Sequence, residues 1–124
     1  MKADMIIEGT QVPAGKVVVS GAKNSATRLL AAALTSAETV RIRNFPTHLV
    51  DAVAKIRFMR DLGADIEVDD ANSSVEILTR NLSLRPDLDY NVPIRTTYLL
   101  AAGQLARNGE ARIPYPGGCK IGIM

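Results

Sequence analysis

Apolar residues recur at helical spacing in three stretches of the chain. Each stretch repeats them mainly three or four positions apart, which is the stripe of an amphipathic helix. In the first stretch the stripe consists of Ala22, Ala26, Leu29, Leu30, Ala33 and Leu34. In the second, which opens at Pro46 and Thr47 and stops at Gly63, it consists of Leu49, Val53, Ile56 and Met59. In the third, from near Pro93 to Gly109, it consists of Ile94, Tyr98, Ala101, Ala102 and Leu105. Three amphipathic helices are therefore predicted.

Short apolar runs between turn residues predict the strands. A polar turn over residues 69–74 separates two of them, and a loop with the sequence Pro-Gly-Gly-Cys follows the last. The predicted strands are residues 5–8, 16–19, 39–43, 65–68, 75–78 and 111–115. Since strands alternate with helices, we expect an α/β fold.

A faint internal repeat accompanies this alternation. The sequence Glu-Thr-Val-Arg-Ile at residues 38–42, followed by Phe45 and Pro46, resembles Glu-Ala-Arg-Ile at residues 110–113, followed by Tyr115 and Pro116. Each copy comes after a predicted helix. The repeat indicates one repeated supersecondary unit, with chance similarity as the alternative.

Composition narrows the class of protein. The chain has 124 residues, which is one domain or less, and a net charge of only +2 with 4% aromatic residues. That balance argues against a nucleic-acid partner. Its apolar runs are too short to span a bilayer, and its first residues do not form a signal peptide. One cysteine and one histidine are too few for a four-ligand structural zinc site, and we expect no cofactor and a cytoplasmic location.

The most suggestive polar motif is Ser-Gly-Ala-Lys-Asn at residues 20–24, where a strand is predicted to enter a helix. The free N–H groups and positive dipole end of a helix start favour anions. Lys23 would add a full charge and Asn24 an amide donor, a combination that suits a phosphate or carboxylate. The alternative is a Ser20 N-cap beside a solvated lysine.

Two further residues are candidates for chemistry. Cys119 follows two glycines that permit loop mobility and precedes Lys120, which favours the thiolate, although a lone cysteine is commonly structural. Arg95 lies in the first turn of the third predicted helix, where a cation is disfavoured unless an anion binds there. A solvated surface arginine is the alternative. His48 fits a capping or surface role better than catalysis.

Together these stretches resemble the N-terminal portion of the UDP-N-acetylglucosamine 1-carboxyvinyltransferase family of enolpyruvyl transferases. The Ser-Gly-Ala-Lys-Asn and Pro-Gly-Gly-Cys-x-Ile-Gly motifs at the two ends are jointly specific. The matching stretches, in family order, are residues 6–9, 19–25, 62–64, 94–96, 109–112 and 116–122.

The resemblance implies an inside-out α/β barrel of repeated βαβ-type units, of which this chain holds the N-terminal part. It implies transfer of the enolpyruvyl group of phosphoenolpyruvate to the 3′-hydroxyl of UDP-N-acetylglucosamine, the first committed step of peptidoglycan synthesis. By the same resemblance, Lys23 and Asn24 contact phosphoenolpyruvate and Arg95 contacts the UDP-sugar. Cys119 is then the proton donor and the residue that fosfomycin alkylates.

Family members are several times longer, so the resemblance also sets expectations about organisation. Residues 1–21 would form strands that pack with a missing second domain, and residues 22–124 an incomplete transferase domain ending in the catalytic loop. The isolated chain is expected to be inactive without the C-terminal portion. Where the family usually has a nucleotide-binding arginine, five residues after Cys119, this chain has Met124.

Two alternatives stay open. Arg28 stands five residues after Lys23, where the family is usually apolar. That spacing resembles the sister family that makes 5-enolpyruvylshikimate 3-phosphate, although the sister family has serine in place of Asn24 and lacks the Pro-Gly-Gly-Cys loop. The second alternative is a non-enzymatic truncated paralogue or gene remnant.

Overall fold

The fold was analysed on a computed structural model that describes residues 4–9, 12, 14–84 and 95–113. Helices and strands alternate along these residues, and a short 3-10 helix leads into the last helix. In chain order the elements are α1 (Lys23–Ala33), β1 (Val40–Arg43), α2 (Val50–Asp61), β2 (Asp65–Asp69), β3 (Ser74–Leu78), the 3-10 helix (Arg95–Leu99) and α3 (Leu100–Asn108).

The three strands form one sheet in the order β1-β3-β2, and both pairings are antiparallel. Strands β1 and β2 therefore run parallel to each other, with β3 inserted between them. Helix α2 connects the two parallel strands, which makes residues 40–78 a βαβ unit split by a third strand. The α/β expectation is confirmed. The inside-out barrel is a larger assembly than this sheet and stays a prediction.

One hydrophobic core joins the helices to the sheet. Alternate residues of β3, Val75 and Ile77, point into this core, as period-two patterning requires. Burying each large apolar side chain contributes about 1.5–3 kcal/mol. The largest fully buried apolar side chains are Leu30, Leu34, Phe45, Phe58, Met59, Leu62, Val75, Ile77 and Leu100.

Helix α2 begins later than predicted and ends as predicted. Leu49 is its N-cap, with extended backbone angles, so the helix opens at Val50 rather than at Pro46 and Thr47. At the other end the Gly63 N–H bonds the Arg60 carbonyl and the next N–H bonds the Met59 carbonyl, at 2.9 and 3.0 Å. This pair of bonds satisfies two of the terminal carbonyls and ends the helix at Gly63.

Helix α3 ends at Gly109 as predicted, but the face predicted for it is not the face it buries. Tyr98 and Leu105 are 53% and 54% exposed, and Ala102 is also exposed. The buried residues are Thr97, Leu100, Gly103 and Gln104. The helix is turned this way because Gly103 packs directly on Leu34 of α1, and a Cβ at that position would come within 2.5 Å of the Leu34 Cβ.

Residues 4–9 and 14–20 contain no strand, so the strand predictions for residues 5–8 and 16–19 are wrong for this chain. No described strand pairs with them. Their apolar side chains are 77–85% exposed: Met5, Ile6, Ile7, Val17, Val18 and Val19. Residues 111–113 are likewise not a strand, and 114–115 lie outside the described residues. The packing of residues 1–21 against a second domain stays a prediction.

Candidate functional site

The chain enters α1 through a close contact between two backbone segments. Gly21 lies so near the loop after β1 that a Cβ on it would overlap the carbonyl oxygen of Asn44. Only glycine allows this approach. The glycine of the Ser-Gly-Ala-Lys-Asn motif therefore places the start of α1 against residues 44–46.

The first turn of α1 has no side-chain cap. Ala22 is the N-cap residue and makes no side-chain hydrogen bond, so the alternative of a Ser20 N-cap is wrong. The first turn also contains no acidic residue. Uncapped N–H groups and the helix dipole together favour an anion at this end of the helix.

Lys23 and Asn24 occupy the first two positions of α1, and both are exposed. The Lys23 Nζ lies 3.4 Å from Oδ2 of Asp51 in the first turn of α2. The Lys23 side chain remains 57% exposed, so this ion pair is worth at most about 1 kcal/mol. A stronger anionic ligand could therefore take the ammonium group from Asp51.

Arg28 folds back along α1 towards the same end. Its guanidinium donates a hydrogen bond of 3.1 Å to the carbonyl oxygen of Asn24. The Thr27 hydroxyl donates to the same carbonyl at 3.3 Å. Arg28 thus lies one helical turn after Asn24 and adds a second exposed cation on this helix.

Lys55 of α2 is a fully buried cation beneath this group. Its Nζ donates to the carbonyl oxygen of Thr27 at 2.8 Å, which ties α2 to α1. Burial, and secondarily the nearby charge of Arg28, lower the pKa of Lys55 from 10.5 to about 8, while Asp51 opposes the shift. The first two turns of α1 are therefore surrounded by three basic side chains and one carboxylate, namely Lys23, Arg28, Lys55 and Asp51.

The structure brings together only part of the predicted site. Lys23 and Asn24 are adjacent at the start of α1. Arg95 begins the 3-10 helix, but its side chain lies outside the described part of the chain, as do Cys119 and Met124. Whether Cys119 faces Lys23 therefore stays a prediction.

His48 has a surface position. Its Nε2 lies 3.8 Å from Oδ1 of Asp70, and both side chains are largely exposed. It lines an open depression of about 470 Å³ between residues 18–21 and the loop 44–49. Ser20 and Gly21 of the motif also line this depression, which therefore adjoins the start of α1, although Lys23 and Asn24 do not line it.

Sequence reasoning missed Lys55 and the pairing of Asp51 with Lys23. Lys55 falls on the buried side of α2, together with Ala52, Ile56 and Met59. A single cation on an otherwise apolar stripe was the signal that could have identified it. The ion pair of Asp51 with Lys23 joins two different helices, so no local sequence pattern indicates it.

No three His, Cys, Asp or Glu side chains of the described residues are grouped in a way that could hold a metal ion. None of the helices in that part of the chain is long and apolar enough to cross a bilayer.

The fold, the motif at the start of α1 and the order of the matched stretches agree with one family of proteins. Residues 7–122 match the family described as EPSP synthase (3-phosphoshikimate 1-carboxyvinyltransferase), and the chain belongs to this family.

The names of individual relatives are more specific than the description of the family. The UDP-N-acetylglucosamine 1-carboxyvinyltransferase of Myxococcus xanthus is 36% identical over 120 residues, which are 95% of this chain and 28% of the relative. The proteins of that name from Prochlorococcus marinus strains NATL1A and MIT 9301 are 37% and 36% identical over 94% and 87% of this chain. These matches cover 25% and 23% of the two relatives, so the chain spans about a quarter of their length. The sequence-based resemblance is confirmed.

Proposed function

We propose that this chain forms part of an enzyme that transfers the enolpyruvyl group of phosphoenolpyruvate to the 3′-hydroxyl of UDP-N-acetylglucosamine, with release of phosphate. The relatives' names support the donor chemistry and the acceptor. The observation that carries the proposal is the uncapped start of α1, where Lys23 follows an N-cap that makes no side-chain bond. This geometry suits the phosphate or carboxylate of phosphoenolpyruvate. The reaction belongs to the peptidoglycan pathway of the cytoplasm.

The proposed roles follow from the chemistry of the step. Protonation of the methylene carbon leaves an oxocarbenium-like centre, which requires an acid against one face of the alkene. Cys119 is proposed as that acid and as the target of fosfomycin. Lys23 and Asn24 hold the donor's anionic groups, and Arg95 contacts the nucleotide sugar. The base that removes the sugar hydroxyl proton belongs to a C-terminal portion, which the complete enzyme requires.

A second candidate is transfer to shikimate 3-phosphate, and Arg28 is the observation that favours it. Its guanidinium donates to the carbonyl oxygen of Asn24, the residue after Lys23. An additional cation there suits an acceptor that carries its own phosphate. The description of the matching family names the same acceptor chemistry.

The donor site can be tested on the chain itself. Titration with phosphoenolpyruvate should shift the backbone amide NMR signals of Lys23, Asn24 and Ser25, because their N–H groups are the proposed ligands. Lys23→Gln should weaken binding about tenfold, which is the loss of one charge-assisted hydrogen bond. Lys16→Gln removes an equal charge from an exposed position and serves as the control. No shift at α1 would contradict the donor site.

The acceptor is tested with the complete protein. Phosphate release should depend on UDP-N-acetylglucosamine, and Cys119→Ala should abolish it, whereas Cys119→Asp should retain turnover and resist fosfomycin. Release that depends on shikimate 3-phosphate would favour the second candidate. If neither acceptor causes phosphate release and the donor does not bind, a non-enzymatic paralogue would be favoured.

A further inference from the structure

The side chain of Gln104 connects two segments that are distant in the sequence. Its Nε2 donates to the carbonyl oxygen of Ser83 at 3.2 Å. Its Oε1 accepts the backbone N–H of Arg112 at 2.9 Å. The residue is 0% exposed. A buried amide is costly unless both its donor and its acceptor are bonded, and here both are.

Other polar side chains of α3 bond the segment that contains Ser83 but not the segment that contains Arg112. Arg107 donates to the carbonyl oxygen of Arg80 at 2.8 Å and also to that of Thr79. Asn108 donates to the carbonyl oxygen of Leu82 at 3.0 Å. These bonds hold residues 79–83 against α3, so the position of the Ser83 carbonyl is fixed relative to the helix. Among the described residues, Gln104 is the α3 side chain that bonds both this fixed segment and the backbone of Arg112.

The position of Arg112 gives this bond a functional consequence. Arg112 is seven residues before Cys119 in the sequence. Residues 111–113 belong to no helix or strand, so backbone pairing within an element does not hold them. The Gln104 amide is a buried, geometrically defined restraint on the chain just before the segment that carries the proposed acid.

We propose that Gln104 is a positioning residue that sets where the chain leaves α3 towards Cys119, by bonding Arg112 and Ser83 with one side-chain amide. The proposal rests on the catalytic role proposed for Cys119. Gln104 touches neither substrate nor reacting atoms and acts through the backbone of Arg112.

Gln104→Glu separates positioning from general packing because its effect depends on pH. A carboxylic acid can donate to the Ser83 carbonyl and accept from the Arg112 N–H, as the amide does. A carboxylate cannot donate, and it places a negative oxygen against the Ser83 carbonyl. The variant should therefore behave like the original protein at low pH and lose the restraint as the introduced carboxyl ionises.

The readout is the reactivity of Cys119, which is the single cysteine of the sequence. A pyridyl disulfide reacts with thiols across pH 5–8, and the rate of each variant is divided by the original protein's rate at the same pH. We expect Gln104→Met to change that ratio at least threefold at every pH. We expect Gln104→Glu to do so at pH 8 and to return towards a ratio of one at pH 5. Asn108→Ala, which removes a bond to Leu82 alone, should leave the ratio near one.

Unchanged ratios in both Gln104 variants, with circular dichroism showing that they are folded, would overturn the proposal. If neither variant folds, amide hydrogen exchange in the original protein decides. The Arg112 N–H should exchange more slowly than that of Glu110, and equal rates would overturn the restraint. Since no measurement here uses substrate, failure of this proposal is distinguishable from failure of phosphoenolpyruvate binding at Lys23.

Discussion

The ammonium group of Lys55 donates a hydrogen bond of 2.8 Å to the carbonyl oxygen of Thr27 and so joins α2 to α1 inside the protein. The bond lies beneath the helix end that carries Lys23, and Asp51 is close to both lysines. The buried charge of Lys55 therefore holds α2 against the helix that carries the candidate anion site at Lys23 and Asn24. A buried ammonium is expensive, and its cost can be measured through its dependence on pH.

Lys55→Met should stabilise the protein near neutral pH. A pKa lowered from 10.5 to about 8 corresponds to a destabilisation of about 3 kcal/mol when the lysine is charged. The lost hydrogen bond to Thr27 offsets about 1 kcal/mol of the gain. We therefore expect urea unfolding at pH 7 to show a free energy of unfolding higher by about 2 kcal/mol.

The lowered pKa of Lys55 also predicts how the stability difference between Lys55→Met and the original protein changes with pH. Between about pH 8 and 10.5 the unfolded chain keeps this lysine protonated while the folded protein does not. The unfolded state then binds more protons, so the original protein gains stability as the pH rises through this window. The difference between Lys55→Met and the original should shrink accordingly. A constant difference, with the exposed Lys16→Met as control, would contradict the assignment.

Asp51→Asn should strengthen the binding of inorganic phosphate by about twofold to fivefold, because it removes from Lys23 a competing anion worth at most about 1 kcal/mol. The affinity can be measured from the amide shifts of α1 during a phosphate titration. Asp70→Asn removes the same charge from an exposed carboxylate near His48 and should have little effect. Weaker binding in Asp51→Asn would show instead that Asp51 holds Lys23 in its binding position.

Gly103→Ala should destabilise the protein by about 1–3 kcal/mol through overpacking against Leu34. The helix propensity of alanine acts in the opposite direction, by about 1 kcal/mol. Ala102→Gly, at an exposed neighbouring position, measures that propensity term alone. Thermal unfolding of the two variants gives the comparison, and a stabilised Gly103→Ala would refute the close helix contact.

Glu67→Gln should stabilise the sheet. Glu67 and Glu76 are directly opposite each other on β2 and β3, and Arg41 neutralises only one of them through an Nε bond of 2.8 Å to Glu76. Relief of like charges across strands is worth about 0.2–1 kcal/mol. The gain should fall in 1 M salt. Glu38→Gln, outside the sheet, should show no such gain.

Local patterns predicted most of the central fold. The strand predictions for residues 39–43, 65–68 and 75–78 agree with β1, β2 and β3 within one residue at each end, because alternating apolar residues and turn residues determine them locally. Both Gly63 and Gly109 end helices as predicted. The start of α2 was misplaced because the extended backbone of Leu49 delays the first helical turn by several residues.

The failures concern contacts between distant segments. The buried face of α3 depends on Leu34, some seventy residues earlier in the sequence, and on an internal hydrogen-bond network that makes Gln104 an interior residue. No local pattern contains that information. Residues 5–8 and 16–19 are short apolar runs typical of strands, yet a strand requires a neighbour, and none of the described strands pairs with them.

Lys23 and Asn24 were located from their motif, while Lys55 and the pairing of Asp51 were not. The motif is contiguous, and helix-start chemistry follows from a few adjacent residues. The contact between Lys55 and Thr27 depends instead on how two helices cross, which period and composition do not specify.

Gly103 and Gln104 together have a consequence for engineering. Gly103, which has no side chain, and the polar Gln104 are adjacent on α3. Rotation of the helix would therefore bring the Gln104 amide against Leu34 and separate it from its hydrogen-bond partners. The helix has a single permitted orientation that does not depend on its outward residues. Substitutions at the exposed Ala102 and Leu105 of α3 should therefore leave the interior arrangement unchanged.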